Sequence, residues 1–205
     1  ACGGPAKYTV KFISQEQTVV EYTDKQKGDK VAVPDDPEKE VPESEQETVA
    51  WYEFNKWTPD VTPDADGNIT VEGDATYVAT FTQVTYEAVK AWCIAEVKAI
   101  NTGLFEGGGE LTVYDDEWES ERVVYSLANI ADSMTPGQAA SYLNAFASYA
   151  GFEVLTPMKE QTSGLYAGVY LDLTNMLVPT LLTTTYGTDT IIQVSVTHAN
   201  FLLVD

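Results

Sequence analysis

The chain has 205 residues, enough for one large or two modest domains, and 44% of them are hydrophobic, enough to build real cores. Its 32 acidic against 11 basic side chains leave a net charge of −21, a long-range penalty for any polyanionic partner, so nucleic acid is excluded as the expected ligand. The excess is shared, with 17 acidic and 7 basic residues through Tyr86 and 15 and 4 after it, so no acidic tail accounts for it.

The apolar runs fall far short of the ~20 residues that span a bilayer, and no basic amphipathic stretch is present, so membrane insertion is not expected. The start, Ala-Cys-Gly-Gly-Pro, has neither a charged n-region nor an apolar h-region. A small first residue fits loss of the initiator Met, the alternative being an export signal already removed. Two cysteines, Cys2 and Cys93, allow one disulfide and imply no framework; two free thiols with Cys93 in the core is the simpler expectation.

Past an N-terminal arm of residues 1–6, Tyr8, Val10 and Phe12 alternate with Thr9 and Lys11 as a half-buried strand does, and Thr18 to Tyr22 repeats the pattern. A turn at Lys25–Gly28 leads to a strand from Asp29 that stops at Pro34, because proline cannot donate to a ladder. Residues 35–47 are acidic and loop-like. Trp51, Tyr52, Phe54 and Trp57 follow as an aromatic cluster, and Asp66-Gly67-Asn68 is a hairpin-turn signal between strands at Ile69–Val71 and Thr76–Phe81.

The order YTVKF, GDKVAVPDDPEKE, FNKW, TYVATF resembles the internalin-type B repeat (Listeria-Bacteroides repeat) of bacterial and phage surface proteins, over residues 7–84. The resemblance implies a β-grasp-like fold, with a small twisted sheet and a short crossover, that acts as a spacer or adhesion module without catalysis. It assigns Gly28 and Pro34 to a turn and Phe54 and Trp57 to packing beneath the sheet. The chain departs from the pattern at Lys56, where a Gly is usual, and at residues 43–50, which read as an insertion. Trp51 and Tyr52 flank that insertion and are the candidate ligand or partner surface, against the alternative of plain core packing.

Residues 85–205 read as a second, α+β domain. Tyr86 to Ile100 fits both a helical stripe (Val89, Cys93, Val97, Ile100) and strand alternation; its four alanines and its length favour a helix, stopped by Asn101 and Gly103. Leu111–Tyr114 and Arg122–Leu127 read as a hairpin around an acidic turn. Pro136–Ala150 is the best-marked helix, with Thr135 as N-cap, Pro136 at its first position, Gln138 closing a capping box, Gly151 as terminator and Ala139, Leu143, Phe146 and Ala150 as its apolar stripe. Strands follow at Leu165–Leu173, Leu177–Thr185 and Thr190–Thr197, the last two joined by a turn at Tyr186–Asp189. Pro179 argues for an edge or a bulge. The last apolar segment, Asn200, Phe201, Leu202, Leu203 and Val204, reads as a strand that could pair across subunits.

The carriers of chemistry are sparse. Asp64, Asp66 and Asn68 hint at a calcium loop, but alignment on Gly67 puts Thr62 first and Gly73 last, where a bidentate Glu belongs. Asp115, Asp116, Glu117, Glu119 and Glu121 read as a solvated turn with Arg122 as its partner. His198 is the sole histidine, which removes any multi-histidine site, and the glycines at 107–109 lack a phosphate-loop ending.

The expectation is therefore an α+β, β-rich protein: an N-terminal β-grasp-like module at 7–84, then an α+β docking domain at 85–205 with a mainly antiparallel sheet and one or two helices. It is expected to be a non-enzymatic structural or interaction protein of a phage virion surface, of head-fibre or decoration type, with no catalytic residues, metal or cofactor. Expected partners are capsid or other assembly subunits, a cell-surface glycan or protein, and further copies of itself as a homo-oligomer. The alternatives are a secreted or cell-surface bacterial adhesin, and a carbohydrate-active enzyme using carboxylates such as Asp116 and Glu119.

Overall fold

The alternation that opens the chain becomes a strand, β1 (Tyr8–Ser14), whose Val10, Phe12 and Ser14 are buried while the residues between them are not. The computed structural model describes residues 3–105, 112–114, 118, 122–130 and 134–202. The chain divides into two units, Ala1–Tyr86 and Glu87–Asp205, and its class is α+β with β-structure predominant.

In the first unit β1 forms a hairpin with β2 (Gln17–Lys25). The two-residue turn is made by Gln15 and Glu16, both at positive φ (52° and 65°). Such a turn twists with the strands and normally takes Gly or Asn; here the Gln15 side chain secures it by donating to the carbonyl of Glu38 at 2.9 Å. After β3 (Lys30–Ala32) and a 3₁₀ turn at Glu43–Glu45 come β4 (Val49–Thr58), β5 (Asn68–Thr70) and β6 (Ala75–Thr85). The main sheet runs β2-β1-β6-β4, with β1 and β6 parallel and the other pairs antiparallel, while β3 and β5 form a separate two-stranded ribbon.

The partner of β5 is thus β3, and the expected hairpin between 69–71 and 76–81 does not form. The Asp66-Gly67 turn belongs to the ribbon, and Asp64 organises it: one carboxylate oxygen accepts from the backbone N–H groups of Asp66 and Asn68, each at 3.0 Å, and the other from Lys30 at 3.1 Å. These bonds, led by that from Asn68, hold the Asp64 carboxyl below its ordinary value.

A cluster of Val10, Phe12, Val31, Trp57, Val71 and Ala79 forms the core of this unit. Phe12 is its hub, edge-on to Trp57 and stacked on Tyr77, each with ring centroids 5.0 Å apart. Phe54 and Trp57 are three residues apart, which on a regular strand would send them to opposite faces. An irregularity between Phe54 and Lys56 brings both rings to one face, 5.5 Å apart.

The second unit begins on helix α1 (Tyr86–Leu104), whose buried positions Val89, Cys93, Val97, Ile100 and Leu104 settle the ambiguous pattern as helical. The expected stop at Asn101 is not one: Asn101 is buried and donates its side-chain amide to the Ser126 hydroxyl, so the helix runs on to Leu104. Gly103 stays within it, where a β-carbon would come within 2.8 Å of the Phe146 ring.

An antiparallel sheet of six strands follows, in the order β7 (Thr112–Tyr114), β8 (Val124–Ile130), β12 (Asp189–His198), β11 (Leu177–Tyr186), β10 (Leu165–Leu171), β9 (Glu153–Thr162). The expected pairing of β7 with β8 and the turn joining β11 to β12 are both present. Strand β9 was not legible, because Glu153–Thr162 does not alternate and carries Pro157.

Pro179 lies on an inner strand, not at an edge. Leu177 exchanges both backbone bonds with Asp172 on the β10 side, so by alternation Pro179 also directs its nitrogen to that side. The β10–β11 ladder stops one residue short of it, at Thr180, and no donor is missed.

Helix α2 (Pro136–Tyr149) lies against β9 to β12. Its capping box is complete: Gln138 N–H donates to the Thr135 hydroxyl at 3.3 Å, and Thr135 N–H to the Gln138 side chain at 2.9 Å. It ends with Gly151 at φ 77°, Gly151 N–H bonding Ser148 and Phe152 N–H bonding Ala147, a Schellman arrangement with Phe152 edge-on to Phe146. The buried stripe is Ala139, Ala140, Leu143 and Ala147, not the expected set ending at Ala150. With the short helix α3 (Ala199–Leu202), three helices stand among the described residues, against the one or two expected.

Candidate functional site

Strand β4 carries Trp51 and Tyr52, opposite Val84 and Gln83 of β6. Both are half-buried. The Tyr52 hydroxyl donates to Glu45 at 2.8 Å, the Lys39 ammonium sits 4.1 Å from its ring centroid, and the bond to Glu45 leads the effects that raise its pKa. Tyr52 therefore ties the acidic segment between β3 and β4 down to the sheet. The Trp51 indole donates to Glu53 at 3.0 Å along its own strand.

On the same unit an open groove of about 410 Å³ is lined by Thr9, Lys11, Glu21, Asp74, Ala75 and Thr76. Lys11 pairs with Glu21 at 3.3 Å, and Asp74 accepts from Thr9 N–H at 2.8 Å. The groove joins β1, β2 and the approach to β6, residues 65 apart in sequence, which no local motif signals. Its walls carry one ammonium, two carboxylates and threonine hydroxyls.

In the second unit α1 brings Glu96 against Asp172, which follows β10. Burial first, then the bond to Asp172 and its charge, push the Glu96 carboxyl up to about 7. Asp172 is oriented by Thr174 N–H at 3.1 Å and the Asn175 amide at 2.9 Å. Cys93, one turn before Glu96, is a buried free thiol pushed up to about 12 by burial and by Glu96, so it is unreactive as a nucleophile. No local motif signals this pair, because its members stand far apart in the chain.

The C-terminal segment differs from its expected form. Asn200, Phe201 and Leu202 belong to α3 and are helical, not strand, while Leu203 and Val204 lie outside the described residues. The cause is local: the His198 Nδ1 accepts from Asn200 N–H at 3.0 Å and turns the chain out of the ladder. Phe201 then packs against Trp118, 5.9 Å between centroids, and under the Arg122 guanidinium at 5.0 Å. The sole histidine is thus buried at the end of β12, near Trp92 and Phe201. Asp115, Asp116, Glu117, Glu119 and Glu121, and also Cys2, lie outside the described residues.

Among the described residues no helix is long and apolar enough to cross a membrane, and no three His, Cys, Asp or Glu side chains are grouped to hold a metal ion. No protein-family model, no curated protein and no solved structure matches the chain.

Exposed apolar side chains are unevenly divided. Of the eleven large ones exposed among the described residues, only Val19 and Val78 lie in the first unit; the other nine, among them Tyr149 (92%), Tyr186 (76%) and Leu173 (60%), lie in the second. Both longer helices sit on one side of the second sheet, since α1 meets Ser126 and α2 meets α1 through Tyr142 and Leu104. The opposite face presents half-buried Leu127, Val169, Leu182 and Ile191.

Proposed function

We propose that the protein is a non-enzymatic structural and interaction protein. Its second unit attaches to a larger assembly, and its first unit, with the β-grasp-like character of an internalin-type B repeat, presents a binding surface. The observation that carries this reading is the concentration of exposed apolar side chains on the second unit. Large apolar groups held in water favour burial against another protein. The first unit buries Phe12 and Trp57 in its core and exposes few large apolar side chains. The assembly that suits this division is a phage virion, with the protein as a head-fibre or decoration accessory. Its groove at Thr9, Lys11, Glu21 and Asp74, together with Trp51, is the surface offered to a cell-surface glycan or protein.

The test is electron microscopy of native particles with the protein labelled, alongside co-sedimentation of purified protein with particles that lack it. Label on particles, with sedimentation lost in a Leu173→Asp, Tyr186→Asp variant and kept in Trp51→Ala, supports the reading. Recovery of the native protein solely as a free monomer overturns it.

A further inference from the structure

Strand β9 (Glu153–Thr162) closes one edge of the six-stranded sheet, and nine of its ten residues are exposed. An edge strand presents unpaired backbone donors and acceptors, and natural edges are usually guarded by proline, charge or bulges. This one has such guards in Pro157, Lys159 and the register shifts against β10.

Its sequence, Glu153-Val-Leu-Thr-Pro-Met-Lys159, also complements itself when run antiparallel. With Thr156 opposite Thr156 of a second copy, Glu153 faces Lys159, Val154 faces Met158 and Leu155 faces Pro157, and by symmetry each of these pairs occurs twice. Opposite charges and apolar pairs directly across a ladder stabilise it, whereas like charges there destabilise it. A one-residue slip of this register ends those matches. Lys159 is one of only four basic residues after Tyr86, which makes its position opposite Glu153 specific.

We propose that β9 is a self-pairing edge: two copies of the chain join antiparallel about a twofold axis through Thr156, making one continuous sheet of twelve strands from two of six. The charges that penalise a foreign strand are paired in this register. Such an isologous contact closes on itself, so the product is a dimer and not a filament. The pairing places subunit contact on β9, in place of the 200–204 segment whose described residues are helical. It does not depend on which assembly the protein serves.

Sedimentation equilibrium on the full chain tests it. The parent is expected to dimerise, Lys159→Glu to weaken the dimer by about tenfold by setting Glu against Glu twice, and the exchanged Glu153→Lys, Lys159→Glu protein to restore it, since the pairs are then re-formed with signs reversed. Restoration in the exchanged protein also shows that loss in the single variant is not misfolding. Thr156→Cys is expected to cross-link symmetrically on oxidation, because paired residues on antiparallel strands stand ~4.5–5.5 Å apart at Cα, within disulfide reach. A parent that stays monomeric up to about 100 µM, an exchanged protein as weak as the single variant, or Thr156→Cys chains that fail to cross-link through residue 156 overturns the proposal.

Discussion

The two units carry nearly the same charge, 17 acidic against 7 basic residues through Tyr86 and 15 against 4 after it, yet they use it differently. The first is a small mixed sheet closed over interlocking rings, with Phe12, Phe54, Trp57 and Tyr77 inside and few large apolar groups outside. The second is a larger antiparallel sheet with helices on one face, half-buried apolar side chains on the other, and exposed ones spread over its helices, β9 and connections. Net charge is thus shared, whereas exposed apolar surface is concentrated on the second unit.

That contrast can be broken first at the ring cluster. Phe12 is fully buried with two aromatic neighbours, so Phe12→Ala is expected to cost about 3–5 kcal/mol. In calorimetry the loss should fall on one transition, that of Ala1–Tyr86, with the transition of the second unit unmoved. A common shift of all unfolding would show the two units to be one cooperative body.

A smaller effect is expected at Gly168. A β-carbon there would lie 3.0 Å from the backbone of Met158 on β9 and 2.8 Å from the Tyr170 hydroxyl. Gly168→Ala must push β9 outward, at about 1–3 kcal/mol, with hydrogen exchange rising in 153–162 and unchanged in the first unit. Unchanged protection of β9 would mean that the sheet edge is not held by this close approach.

The smallest effect concerns Glu96. Its carboxyl is raised from 4.5 to about 7 in the folded chain, so the protonated form favours folding. The contribution is complete below about 4.5 and is lost as pH rises through about 7. Glu96→Gln should flatten this dependence and raise the melting temperature of the second unit at pH 8 by about 2 °C, the figure kept low because the group is only half shielded from solvent. An unaltered pH profile in melting curves would mean that protonation of Glu96 does not stabilise the fold.

Much of this architecture is legible in the sequence where the signal is local. The alternation at Tyr8–Phe12, the capping box from Thr135 to Gln138 with its Gly151 terminator, and the turn at Tyr186–Asp189 each depend on residues a few places apart, and each formed as its chemistry requires. Failures came where a specific partner, distant or near, overrode the pattern. Asn101 is a fair helix terminator until Ser126 receives its amide. Residues 200–202 are a fair strand until the His198 imidazole takes the Asn200 N–H. Pro179 is a fair edge marker until the neighbouring ladder stops beside it.

For the candidate surfaces the division is similar. Trp51 and Tyr52 stood out as an aromatic pair, but only tertiary structure showed Tyr52 engaged by Glu45 and Lys39. The groove that joins Thr9 to Asp74, and the Glu96–Asp172 pair, had no local sign at all. Sequence alone settled the acidic balance, the capping box at Thr135 with its Gly151 terminator, the turn at Tyr186–Asp189 and the β-rich class, because hydrophobic period and backbone hydrogen bonding act over short stretches. Tertiary structure decided which strands are edges, which apolar side chains remain in water and which carboxyls meet, because these depend on what the rest of the chain brings alongside.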